Sequence, residues 1–455
     1  MSDSPFAVRG VIEGFYGTPW SHAQRLDLIR FLGERGFNTF VYAPKDDPLV
    51  RQGWRTPYGG DELARLAELV GECSRHGLDL VYCLSPGLSI EYSSQEDRRL
   101  LTSKLDSIAG LGVTSFGLLL DDIPTELQHP SDRAAFAGLV EAHVSLVGEV
   151  FAGLSAGARL VVCPTQYWGY GDEDYIARLG TGLDPRIELF WTGRAICSAT
   201  FDLADAAVFT RATGRPPTYW DNYPVNDVAM TNELHVGPYR GRDRHLYQSS
   251  TGIIANGMEL FESSKIAFAT IADYLAAPED YEPEASWQRA IQAVAGTDAD
   301  AYAVFADNVR SSCLAADDAP ALQRAIESFA FESRYGDRVH AADALGELAD
   351  RMLDAADRLL RGPVANPGLI AEGRRWIEAF ELGATAIQRI VRLYRAGRLD
   401  SEGPTELSLF LERLRDARVR VFGDVLDMTL AELTAPRPPE TEGTSPTPHS
   451  KEAVS

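Results

Sequence analysis

A chain of 455 residues with 45% hydrophobic and 24% charged side chains can bury a large core and has the length of two domains. Its formal charge of -23 repels polyphosphates and anionic lipids, so neither nucleic acid nor a membrane surface is an expected partner. No segment approaches the roughly 18 apolar residues of a membrane span. The start, MSDSPFAVRGVIEG, lacks the basic and apolar regions of an export signal, and a cytoplasmic protein is expected.

From residue 7 to about 275, short apolar runs alternate with amphipathic segments, the pattern of repeated βα units. Eight runs read as strands, at 8–14, 37–44, 78–86, 115–122, 159–165, 186–193, 217–222 and 251–256. Helical patterns lie between them, among them SHAQRLDLIRFLGERG, DELARLAELVGECSRHG and SDRAAFAGLVEAHVSLVGEVFAGL. Several open on Ser or Asp and close on Gly, as helices between strands do. Eight such units within 1–280 predict a (β/α)8 barrel of the α/β class. No GxGxxG follows the first run and no Walker motif occurs, which argues against a nucleotide-binding open sheet.

After APEDYEPEAS the strand signal stops, and 281–435 reads as an all-α helical bundle with breaks at GPVANPG and RAGRLDSEGP. Its apolar stripes are wide enough for mutual packing or for a partner subunit, and a homodimer through this region is expected. The last twenty residues, 436–455, are rich in Pro, Thr, Ser and Glu and predict a disordered tail. The five cysteines, Cys73, Cys83, Cys163, Cys197 and Cys313, are widely spaced without a CxxC pair, and the eight histidines show no ligand spacing. Reduced thiols are expected, with no metal or other cofactor.

In a barrel of this type the chemistry gathers at the C-terminal strand ends, whose loops form one mouth. The first run ends at Glu13 and GFYGTPW, the second at PKDD, the fourth at Asp121 and Asp122, the fifth at CPTQYWGYG, the sixth at WTGR, the seventh at WDNYPVND and the eighth at ANGMELFE. Aromatic faces and hydrogen-bonding groups together are the ingredients of a carbohydrate pocket. Phe15 and Tyr16 read as structural or pocket-shaping.

A carboxylate pair at such a mouth suits glycosidic hydrolysis, one group donating a proton and the other staying ionised. Two neighbouring residues on one strand end, however, cannot flank a sugar from opposite faces at the separation of about 5 to 9 Å that an acid and its partner need. The nucleophile can instead belong to the substrate. A 2-acetamido sugar carries an acetamide oxygen that attacks the anomeric carbon and closes an oxazoline. One Asp then holds the acetamide N–H, while its neighbour protonates the leaving oxygen and later activates water.

The segments GVIEGFYGTPW, YAPKDD, LLLDDI, CPTQYWG, FWTG, WDNYPVND and GPYRGR, in order over roughly 8–275, resemble glycoside hydrolase family 84. These are the β-N-acetylglucosaminidases that include the protein O-GlcNAcases. The resemblance implies a retaining exo-β-N-acetylglucosaminidase acting on a glycoside or glycoprotein that carries N-acetylglucosamine. Asp121 would orient and polarise the acetamido group, and Asp122 would be the general acid/base. Gly14 and Lys45 would meet hydroxyl or acetamide groups, and Tyr167 the acetamido oxygen. Trp220 would wall the acetamide pocket and Asn222 hydrogen-bond that group. Asp227 would bind the 4- and 6-hydroxyls, and Asn256 a hydroxyl. Gly257 departs from the pattern, standing where relatives would carry Pro. The barrel-plus-helical layout resembles the intracellular members, whose helical region can take part in dimer formation.

Two other classes remain open on the sequence. A silent N-acetylglucosamine-binding barrel would keep the pocket without turnover. A metal-dependent hydrolase would use the Asp pair as ligands with further Glu, His or Asp partners.

Overall fold

A computed structural model describes residues 4–317 and 319–435. The expected tail at 436–455 lies outside the described residues. Eight strands pair in parallel and in sequence order: β1 (Val8–Glu13), β2 (Thr39–Tyr42), β3 (Asp79–Leu84), β4 (Ser115–Leu119), β5 (Arg159–Cys163), β6 (Glu188–Trp191), β7 (Thr218–Asp221) and β8 (Gly252–Asn256). Pairing of Val8 with Gly252 and of Gly10 with Thr39 closes β1 against both β8 and β2. The closed parallel barrel followed by helices is the architecture the sequence predicts.

Successive side chains on a strand point to opposite faces, so each strand divides into an inner and an outer set. Val8 and Ile12, Val41 and Ala43, Val81 and Cys83, Leu119, Val161 and Cys163, Phe190, Trp220 and Ile254 form the core inside the barrel. The alternate residues Val11, Phe40, Tyr82, Leu118, Val162 and Tyr219 belong to the larger core beneath the surrounding helices. This two-residue beat continues past the strand ends and settles which polar groups face the mouth. From Ile12 it reaches Gly14, from Ala43 it reaches Lys45, from Leu119 it reaches Asp121, and from Trp220 it reaches Asn222.

The helices of the barrel are α1 (His22–Glu34), α2 (Gly60–Arg75), α3 (Gln95–Ala109), α4 (Pro130–Ala135), α5 (Leu139–Gly153), α6 (Asp174–Gly182), α7 (Leu203–Thr213) and α8 (Phe261–Ala276). Ser21 caps α1 in a capping box with Gln24, and Gly214, at φ 75, ends α7 in the left-handed conformation. One helical pattern, 131–154, is two helices in the structure. Extended backbone at Phe136 and Gly138 separates α4 from α5. The break sets Asp132 of α4 to accept the N–H groups of Tyr92 (3.0 Å) and Ser93 (2.6 Å) in the loop after β3.

The remaining helices are α9 (Pro283–Ala295), α10 (Ala299–Ala306), α11 (Pro320–Tyr335), α12 (Asp343–Arg361), α13 (Pro367–Arg395), α14 (Leu399–Asp416) and α15 (Val425–Thr434). They share a second core that takes in Ile266 and Ala269 of α8 and Leu234 and Val236 of the β7–β8 loop. That explains why α8 is buried on nearly every face: it lies between two cores. Glu372 of α13 accepts the N–H groups of Glu262 and Ser263, each at 2.9 Å, and so caps the N-terminus of α8. Trp287 donates to the Val236 carbonyl (2.6 Å), and Trp376 and the Arg420 backbone to the Asn232 carbonyl (2.9 and 2.8 Å). The helical region thus holds the outer side of the loop that carries Asp227. Among the described residues no helix is long and apolar enough to cross a membrane.

Candidate active site

A cavity of about 560 Å³ opens at the C-terminal ends of the strands, and Gly14, Lys45, Asp121, Asp122, Tyr167, Trp220, Asn222, Asp227 and Asn256 all line it. Every site residue singled out from the sequence is therefore brought to one place. Tyr16, Cys163, Thr192, Ile196, Cys197, Val225 and the turn of Val228, Ala229 and Met230 complete the wall. A larger groove of about 740 Å³ lies between α3 and α5 and shares no lining residue with this cavity. Its Arg98 is already engaged by Glu149 and Ser145.

At the floor, Lys45 and Asp121 form a buried ion pair. Burial works against the Lys45 ammonium, but the adjacent Asp121 carboxylate outweighs it and holds the lysine above its ordinary pKa. Lys45 uses Oδ2 of Asp121; Oδ1 is buried and has no hydrogen-bond partner among the described residues. A buried carboxylate oxygen without a donor is costly unless a ligand supplies one. The site therefore presents an acceptor aimed at a donor yet to arrive.

Asp122 departs from the strand beat. Its φ of 52 places a non-glycine residue in the left-handed region, a conformation held by its surroundings at some cost. That turn carries the exposed carboxylate toward two phenols. Tyr16 Oη donates to Oδ2 at 2.7 Å and Tyr167 Oη to Oδ1 at 3.0 Å. Burial, reinforced by the Asp122 charge, pushes Tyr16 up to about 12 and raises Tyr167 likewise, so both stay protonated donors at neutral pH.

On the opposite wall a chain of amides fixes the shape. The Gly14 N–H donates to Asn256 Oδ1 (3.1 Å), Asn256 Nδ2 to Asn222 Oδ1 (3.0 Å), and Trp220 Nε1 to the same oxygen (2.9 Å). Asn222 Nδ2 gives one proton to the Ile196 carbonyl (2.8 Å), which leaves Asn222 and Asn256 one N–H each for a ligand. Gly14 is required by packing, since a Cβ there would lie 2.5 Å from the Trp220 ring. Trp220 meets Phe190 edge to face at 5.4 Å and stands as a fixed aromatic wall. Asp227 accepts the Tyr16 N–H at 2.7 Å, and burial raises its pKa above the ordinary carboxylate value. Cys313, from the segment between α10 and α11, sets its Sγ 3.8 Å from the Asn222 carbonyl, so the helical region reaches the site.

Sequence reasoning gave Tyr16 no more than a shaping role, yet it touches both Asp122 and Asp227. Arg51 went unmarked, although its Nη1 donates to Tyr16 Oη at 2.6 Å. The signal for Tyr16 was available, because it stands one two-residue step beyond Gly14. No local signal marks Arg51. Among the described residues no group of three or more His, Cys, Asp or Glu side chains could hold a metal ion.

Residues 9–307 match the model of the beta-N-acetylglucosaminidase family. The protein O-GlcNAcases of Rattus norvegicus and Mus musculus are each 34% identical over 271 residues, 58% of this chain and 29% of theirs. The match thus spans less than a third of the length of those relatives. A mutant of the Thermobaculum terrenum O-GlcNAc hydrolase is similar in structure with a TM-score of 0.89 and 32% identity, covering 94% of this chain and 95% of that one. CpGH84B follows at 0.83 and 28%, covering 94% and 77%. Barrel and site together define a glycosidase. The chain belongs to glycoside hydrolase family 84, the β-N-acetylglucosaminidases.

Proposed function

We propose that the chain is a retaining exo-β-N-acetylglucosaminidase that releases terminal β-linked N-acetylglucosamine, including the sugar on protein Ser or Thr, by substrate-assisted catalysis. The observation that carries this is the buried Asp121 Oδ1, paired with no donor among the described residues and set beside the Asp122 carboxylate. An acetamide N–H supplies the missing donor. With its N–H held, the acetamide oxygen attacks the anomeric carbon, the glycosidic bond breaks, and Asp122 gives its proton to the leaving oxygen. Asp121 stabilises the positive charge that spreads onto the oxazoline nitrogen. Asp122 then takes a proton from water as the water attacks the same carbon, and the β configuration returns.

The other walls divide the sugar between them. Tyr167 and the free N–H of Asn222 hold the acetamido oxygen, and Trp220 covers its methyl group. Asp227 takes the 4- and 6-hydroxyls. Gly14, Lys45 and Asn256 border the remaining polar groups. In this reading residues 1–280 are the catalytic unit, and the helical domain at 281–435 supports it and forms a homodimer.

Asp227 is the carboxylate that could serve instead as a protein nucleophile, so the test must separate it from the acetamide. Aryl N-acetylglucosaminides whose acetyl group is progressively fluorinated carry a weaker carbonyl nucleophile, and kcat should fall steeply along the series. A flat series, or a covalent sugar trapped on Asp227, removes substrate assistance. Absence of turnover with any aryl N-acetylglucosaminide that still binds would leave the silent sugar-binding barrel.

A further inference from the structure

Arg51 is buried, yet among the described residues it makes no ion pair with a carboxylate. Its guanidinium is turned on a phenol and a peptide carbonyl. Nη1 donates to Tyr16 Oη at 2.6 Å, Nη2 lies 3.5 Å from the Asp122 carbonyl oxygen, and the guanidinium carbon stands 5.2 Å from the centre of the Tyr16 ring. A phenol has one proton to give. With an Arg51 N–H on its oxygen, Tyr16 directs that proton to Asp122 Oδ2. Arg51 therefore grips the strained Asp122 turn twice, through Tyr16 at the carboxylate and directly at the backbone.

The two oxygens of Asp122 are not equivalent when a substrate enters. Tyr167 also has a single proton, now on Oδ1. In the mechanism proposed above that proton goes to the acetamido oxygen, and Oδ1 loses its donor. The proposed mechanism gives the Tyr16 proton no other acceptor, and Arg51 holds both the oxygen and the ring of Tyr16 in place. Resting on the reading of Asp122 as the general acid/base, we infer that Arg51, acting through Tyr16, is a positioning residue that anchors Oδ2 and leaves Oδ1 as the oxygen that carries the proton. The arrangement resembles a two-point mount of which one point is released by the substrate.

Misplacing a catalytic group by about 1 Å can cost up to about 100-fold in rate. Arg51→Met should therefore lower kcat/KM, which reports the step in which the glycosidic bond breaks, by about 10- to 100-fold on a poor leaving group, para-methoxyphenyl N-acetylglucosaminide. On the dinitrophenyl glycoside, whose bond breaking needs little proton donation, the loss in kcat/KM should stay within about 3-fold. Arg51→Lys still offers Tyr16 an N–H and should recover most of the loss. Tyr16→Phe should reproduce the graded pattern, and the double variant should lose less than the product of the two single losses, since both residues act on the placement of Asp122. If Arg51→Met does not fold, as judged by thermal unfolding, Tyr16→Phe removes a single oxygen and carries the test.

An equal loss on both glycosides, or no change, overturns the inference. Asp122→Asn measured on the same pair separates the two readings. A graded loss there with an even loss for Arg51→Met sinks only the positioning role. An even loss for Asp122→Asn sinks the acid assignment itself.

Discussion

Asp121 and Asp122 are neighbours in sequence but live in different environments, and the proposed mechanism rests its division of tasks on that difference. Asp121 follows the inward beat of β4, is buried, and is locked to Lys45. Its carboxylate is fitted to meet developing positive charge without moving. Asp122 is turned outward by its positive φ and held by phenols that can exchange partners. Substitution should separate the roles. Asp122→Asn should cost about 10² to 10⁴ on a poor leaving group and far less in the glycosylation step for a good one. Asp121→Asn should lose about 10² to 10³ whichever leaving group is used, because in the proposed mechanism oxazoline closure precedes or accompanies every departure. Steady-state kinetics on an aryl series decides, and a leaving-group dependence for Asp121→Asn as steep as for Asp122→Asn contradicts the division.

At the scale of elements, the β7–β8 loop shows how a polar site is set by buried bonds. His235 is buried and donates through Nδ1 to the Val225 carbonyl (2.9 Å), while Nε2 meets Glu233 at 2.8 Å. Burial works to lower its pKa, but the Glu233 carboxylate prevails and the folded value stands above 6.5. The stability this contributes is fully present below pH 6.5 and fades as pH rises through the folded value. Urea midpoints should therefore drop across that window for the native chain and not for His235→Gln; parallel curves would refute it. Capping of α8 gives a second test. Glu372→Ala removes the acceptor of two backbone N–H groups and should cost about 1 to 2 kcal/mol in denaturant unfolding, with Glu372→Gln costing less. The barrel strands were legible because the succession of apolar runs and amphipathic segments is a local property, and Gly14, Lys45, Asp121, Asn222 and Asn256 because they stand in or beside strand-end segments that resemble a known family. Arg51, the Glu372 cap and the break between α4 and α5 were not, because each is decided by a partner distant in sequence. Arg51, after β2, finds Tyr16 only in the neighbouring loop after β1, and Gly138 breaks the helix so that Asp132 can serve the loop after β3.

At the scale of the molecule, the helical region does two things with its surface. One side is used up by the barrel: Leu234, Val236, Ile266 and Ala269 sit in its core, and Asn232 takes donors from Trp376 and Arg420. The other side still shows apolar groups. Phe331 and Tyr335, one helical turn apart on α11, are 60% and 69% exposed with ring centres 5.7 Å apart, and Val339 beyond them is 77% exposed. A lone exposed apolar residue needs no explanation, but a run on one face is a liability in a chain that stays single. A symmetric pair of subunits hides such a face against its own copy, since a twofold interface needs only one self-complementary patch. The full chain should therefore sediment as a dimer. Phe331→Glu with Tyr335→Glu places four carboxylates on the axis of that interface and should give a monomer whose thermal unfolding is otherwise preserved. A native chain that is monomeric at all concentrations, or a doubly substituted chain that remains dimeric, would show that this face of α11 is not the contact.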